Sequence, residues 1–96
     1  MIKGKTNSGF EFEYDRRRLD DMRFVDAMAE ALDPEAEEFT RLSNSSKLIG
    51  MLLGKELKAK LYEHIGAKHD GRVPSVDLVN ELGEIMAAAG KSAEKN

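Results

Sequence analysis

The sequence predicts a mainly α-helical fold, a small four-helix domain with an N-terminal β-hairpin or strand. Three observations carry this. Ile49, Leu52, Leu53, Leu57, Leu61 and Ile65 recur at three- and four-residue steps, which lines them along one side of an α-helix. Glycines at 54, 66 and 90 and prolines at 34 and 74 cut the rest of the chain into helix-length pieces. Only Phe10-Glu11-Phe12-Glu13-Tyr14 alternates aromatic with acidic, the two-residue period of a half-buried strand.

Ninety-six residues make one domain, expected over 1–90 with a disordered tail at 91–96. A chain of this size buries roughly 60–65% of its unfolded surface, enough for one modest core. Hydrophobic residues make up 41% of it, so it should fold despite a charged content of 34%. The net charge of −3 gives no general attraction to nucleic acid. There is no cysteine, which removes disulfides and thiolate metal sites. No apolar run reaches transmembrane length, and the N-terminus lacks a signal core, so a cytosolic protein is expected.

The first element is a hairpin or strand over 2–14. Asn7-Ser8-Gly9 supplies turn chemistry, and Ile2 to Thr6 can pair back. An isolated hairpin is marginal in water, so Phe10, Phe12 and Tyr14 must lie on the helices or on another chain. Asp15-Arg16-Arg17-Arg18 follows; the arginines sit among five carboxylates, Glu11, Glu13, Asp15, Asp20 and Asp21, and local pairing is expected. The first helix is expected over 19–32, with Asp20 or Asp21 at its cap and Met22, Val25, Met28, Ala29 and Leu32 inward.

Asp33-Pro34-Glu35 reads as the start of a second helix over 34–53. Its weak point is Ser43-Asn44-Ser45-Ser46, whose side chains compete for backbone hydrogen bonds. Either Ser45 or Ser46 recaps a separate helix there, or one helix runs through a soft middle; the second is preferred. Gly54 suits a left-handed helix end, and a third helix should occupy 55–65. A polar loop with an Asp70-Gly71 turn leads to a fourth helix over 75–89. Val76, Val79, Leu82, Ile85, Met86 and Ala89 should form its inner face, and Gly90 its end.

No catalytic constellation emerges, and neither enzyme chemistry nor a cofactor is expected. Aligned as a calcium loop, 66–77 would offer only Asp70 and Asp77, with Lys68 repelling the ion. His64 and His69 lack metal-ligand spacing and read as solvent-exposed. There is no Gly-x-Ser-x-Gly elbow and no phosphate-cradling glycine loop. A helix-turn-helix reading fails on charge, because the last helix carries Asp77, Glu81 and Glu84 and no cation before Lys91.

Several segments, taken in order, carry a family resemblance. They are Gly9-Phe10-Glu11-Phe12-Glu13-Tyr14-Asp15, Leu19-Asp20-Asp21-Met22-Arg23-Phe24-Val25-Asp26-Ala27-Met28, Leu48-Ile49-Gly50-Met51-Leu52-Leu53-Gly54, Leu61-Tyr62-Glu63-His64-Ile65 and Asp70-Gly71-Arg72-Val73-Pro74-Ser75. The chain resembles the tail assembly chaperones of long-tailed (siphovirus) bacteriophages and prophages over about residues 10 to 86. In that family an Asp-Asp-aromatic helix, a Leu-Leu-Gly joint and an Asp-Gly-Arg-Val loop recur in this order. Two departures are the long 33–46 segment and Met22 at a position where an aromatic is usual.

The resemblance implies a chaperone that binds helices of the tape measure protein, a very long chain, and keeps it soluble until tail tube subunits polymerise around it. It implies the tail tube protein as a further candidate partner, and action in the host cytoplasm without incorporation into the virion; self-association is expected from the hairpin, whose edge could pair with a second chain. It also implies a longer product made by a −1 ribosomal frameshift, for which Ala89-Gly90-Lys91 can be encoded as a slippery sequence. Candidate partner-binding residues are Phe10, Phe12, Met22, Met28, Met51 and Met86, each with core packing as the competing role. The alternative is a small non-enzymatic interaction or regulatory domain of a prophage.

Overall fold

A computed structural model describes the backbone of residues 1–94 and the side chains of residues 1–90. Two strands, β1 (Ile2–Lys5) and β2 (Glu11–Tyr14), form an antiparallel hairpin. A 3-10 turn, Arg16–Asp20, leads to α1 (Met22–Leu32), then α2 (Glu38–Gly66) and α3 (Ser75–Glu94).

The hairpin closes through a turn in which Gly9 takes φ +97° and the Thr6 hydroxyl accepts from the Phe10 amide. Its register sets Ile2 against Tyr14 and Gly4 against Phe12. The Phe12 ring lies over Gly4, where a methyl group would come within 2.7 Å of it. Ile2, Phe10, Phe12 and Tyr14 all join the core, as the alternation predicts. The Tyr14 hydroxyl donates to the Ile85 carbonyl at 2.8 Å, and burial pushes its pKa above the usual tyrosine value.

Gly54 breaks α2. Its φ of +83° and ψ of 167° lie in a region open essentially to glycine alone. In a straight helix Ser46 and Tyr62 would stand about 24 Å apart. Their hydroxyls are instead 2.8 Å apart, so the two halves of α2 fold back on one another. This joint is the one expected from Gly54. It turns Leu48, Ile49, Leu52 and Leu53 toward Leu61 and Ile65, and all six are buried in one core cluster. The break frees carbonyls at the end of the first half, and the Arg18 guanidinium donates to that of Met51 at 2.9 Å.

Several boundaries and faces differ from expectation. The helix expected over 19–32 begins at Met22, with Asp21 accepting from the Arg23 amide. Leu19 belongs to the preceding 3-10 turn. Pro34 opens no long helix. Asp33 closes a single turn by accepting from the Glu35 amide, and α2 starts at Glu38 instead of 34. The stretch 43–46 does not interrupt α2. Ser45 bonds the Arg41 carbonyl one turn back, and Asn44 bonds both the Thr40 carbonyl and Glu30 on α1.

The inner face of α1 is Phe24, Ala27, Met28 and Ala31, whereas Met22, Val25, Ala29 and Leu32 face solvent. On α3, Leu78, Leu82 and Ile85 are buried with Glu81, while Val76 and Val79 are exposed. Gly90 does not end α3, which continues to Glu94 through part of the tail expected to be disordered; residues 95 and 96 of that tail lie outside the described residues. Among the described residues, no helix is long and apolar enough to cross a membrane.

Candidate functional site

The most distinctive surface lies on α1 and the start of α2. At about 100° per residue, the eleven positions of α1 divide into three arcs. Phe24, Ala27, Met28 and Ala31 form one and face the core. Arg23, Asp26 and Glu30 form a narrow polar line. Between these lies an apolar line left exposed among the described residues: Met22 at 64% exposure, Val25 at 43%, the small Ala29, and Leu32 at 73%. It runs about 15 Å along the helix. Beyond the turn at 33–37, in the first turn of α2, Phe39 is 86% exposed.

Local chemistry fixes this surface. The arginines that precede α1 are engaged within the chain. Arg17 bonds Asp15, which lowers that carboxyl's pKa to about 2. Arg23 holds the Asp21 carboxyl below its usual value in the same way. Asn44 ties α1 to α2 through Glu30, so the exposed line is presented by a helix anchored along its polar line.

Of the six candidate partner-binding residues, Met22 alone belongs to this line. Phe10 and Phe12 are buried beneath the hairpin, each only 6% exposed. Met28, Met51 and Met86 are partly buried against the core. Met51 also lines a shallow cleft with Phe24, Arg18 and Arg23. Sequence reasoning missed Val25, Leu32 and Phe39 as surface residues. The signal was present in composition: α1 has only Arg23, Asp26 and Glu30 as polar residues, too few to cover everything that the core does not take.

A second constellation joins the hairpin turn to the helices. Glu81 is only 5% exposed and, among the described residues, forms no ion pair. Its carboxylate accepts from the Thr6 hydroxyl at 2.9 Å and from the Ser8 hydroxyl at 3.1 Å. Ser8 also lies 3.0 Å from His64 Nε2, and the His64 ring packs against Phe10. Asn7 donates its backbone amide to Glu84 at 2.6 Å.

Serine, histidine and carboxylate here resemble a nucleophilic triad only in composition. In a triad the carboxylate orients the histidine, which then takes the serine proton. In this cluster Glu81 bonds the serine instead of the histidine, so the order of contacts is not that of a triad. The arrangement is a clamp that satisfies a buried carboxylate. His69 likewise bonds Asp77. Both histidines are therefore partly buried and partnered, where exposed residues were expected. A cleft of about 220 Å³ lies between these groups. Among the described residues, no group of three or more His, Asp or Glu side chains could hold a metal ion.

Comparison with known protein families, with curated proteins and with solved structures finds no significant match.

Proposed function

We propose that this chain is a non-enzymatic tail assembly chaperone of a long-tailed phage or prophage, which binds helices of the tape measure protein and keeps that protein soluble during tail morphogenesis. The observation that carries this reading is the uncovered apolar line Met22, Val25, Ala29 and Leu32, with Phe39 exposed beyond the turn that follows it. Contiguous apolar surface of this kind marks a contact site more often than idle exterior.

A line of about 15 Å matches two to three turns of a partner helix, the helix-in-groove mode of recognition. A contact that short is weak when single. A client with many similar amphipathic segments turns weak contacts into strong retention where copies bound side by side also touch, because each then raises the local concentration for the next. A client that binds many copies side by side would in addition be covered along its length. The same reading places the chain in the host cytoplasm and outside the finished virion.

The test is co-expression of the chain with the very long reading frame expected downstream of its gene. The soluble fraction of that client should rise when this chain is present. A client equally soluble, or equally insoluble, with and without the chain would overturn the assignment.

A further inference from the structure

The charge around the exposed apolar line is one-sided. From residue 24 to residue 40 the chain carries Asp26, Glu30, Asp33, Glu35, Glu37 and Glu38 and no lysine or arginine. All six are exposed. Among the described residues none of them forms an ion pair, whereas Glu13, Asp15, Asp21 and Asp77 each have a cationic or histidine partner. Leu32 and Phe39, the most exposed apolar side chains after the turn is included, sit within this run.

We infer that the occupant of this face is a basic amphipathic helix, whose apolar stripe covers Val25, Leu32 and Phe39 while its lysines or arginines meet the surrounding carboxylates. This rests on the reading of the face as client-binding and specifies the client segment. An acidic or neutral helix could match the apolar line, but it would leave the carboxylates of this run, apart from Glu30, which Asn44 holds, uncompensated or repelled. A second copy of this chain is a poor fit. Packed in parallel, two such faces bring their acidic ends together. Packed antiparallel, each acidic end meets Arg17, Arg18 and Arg23 of the other copy, and these are already held by Asp15, the Met51 carbonyl and Asp21.

The test uses the full chain and three fluorescent peptides of about 18 residues, or five helical turns. One has a leucine stripe with lysine elsewhere, one has the same stripe with glutamate elsewhere, and one has the lysine composition with its leucines scrambled off the stripe. Anisotropy should show the striped lysine peptide binding at least about tenfold tighter than either of the others. Its binding should weaken as salt is raised. The double variant L32S/F39S alters only exposed side chains and should lose about tenfold in affinity for it. The charge reversal E35K/E37K should shift preference toward the glutamate peptide.

Equal binding of the lysine and glutamate peptides would overturn the proposal, as would a scrambled peptide that binds as well as the striped one. Dimerisation of the chain that is lost in L32S/F39S would assign the face to a second copy and overturn it too. Failure here is separable from failure of the functional reading. If client solubility depends on the chain while the peptides show no charge preference, the basic partner is wrong and the chaperone stands.

Discussion

Replacing Gly54 by alanine should destabilise the protein, although no side chain stands in the way. A Cβ at Gly54 meets nothing within 4 Å. The cost is in the backbone, since φ +83° with ψ 167° is strained for any residue with a Cβ, by about 1–3 kcal/mol. Alanine also stiffens the unfolded chain, which offsets about 0.4–1 kcal/mol. The net loss is about 1–2 kcal/mol, and for a domain of this size each kcal/mol shifts Tm by about 4–8 °C. Tm should therefore fall by about 5–15 °C in a calorimetric or circular dichroism melt.

Gly83 provides the control. It sits exposed in α3, a Cβ there also meets nothing within 4 Å, and its φ is not positive. Gly83→Ala should stabilise by up to about 1 kcal/mol through helix propensity. The same chemical change should thus move Tm in opposite directions at the two positions. A Gly54→Ala variant as stable as wild type or more so would refute a folded-back α2 hinged at that residue.

Thr6→Val keeps the shape of a buried side chain but removes the hydroxyl that donates to Glu81 and accepts from the Phe10 amide. It should cost about 1–3 kcal/mol in urea unfolding, and an unchanged midpoint would contradict the clamp. Tyr14→Phe removes the bond to the Ile85 carbonyl and should cost about 1 kcal/mol near neutral pH. The raised pKa of Tyr14 adds a pH signature. Above the ordinary tyrosine value of 10.0 the unfolded chain releases the phenol proton while the folded chain keeps it, so stability should fall as pH rises beyond that point. The fall should be shallower in Tyr14→Phe; identical high-pH slopes would contradict burial of that phenol.

What the sequence made legible follows from how local each feature is. The inward face of the hairpin could be read because a two-residue period leaves only one choice of side, and three aromatics mark it. The joint in α2 could be read because Gly54 interrupts a run that is otherwise strongly helical. The continuity of α2 through 43–46 was the preferred reading, but what secures it was not legible, since Asn44 and Ser46 are satisfied by Glu30 and Tyr62, residues remote in sequence. The phase of α1 was misjudged because its apolar residues span two adjacent arcs, and periodicity alone does not say which arc faces the core. Buried Glu81 was also out of reach. A carboxylate on a helix looks solvent-facing until Thr6 and Ser8, more than 70 positions earlier, are placed beside it.

The most direct measurement of the central claim is client solubility with the exposed line of α1 made polar. In the triple variant M22S/V25S/L32S the altered side chains are exposed and lie outside the core cluster, so the chain itself should stay folded by circular dichroism. Co-expressed with the long client, wild type should hold the client in the soluble fraction and the triple variant should let it precipitate. A folded triple variant that keeps the client fully soluble would contradict the account.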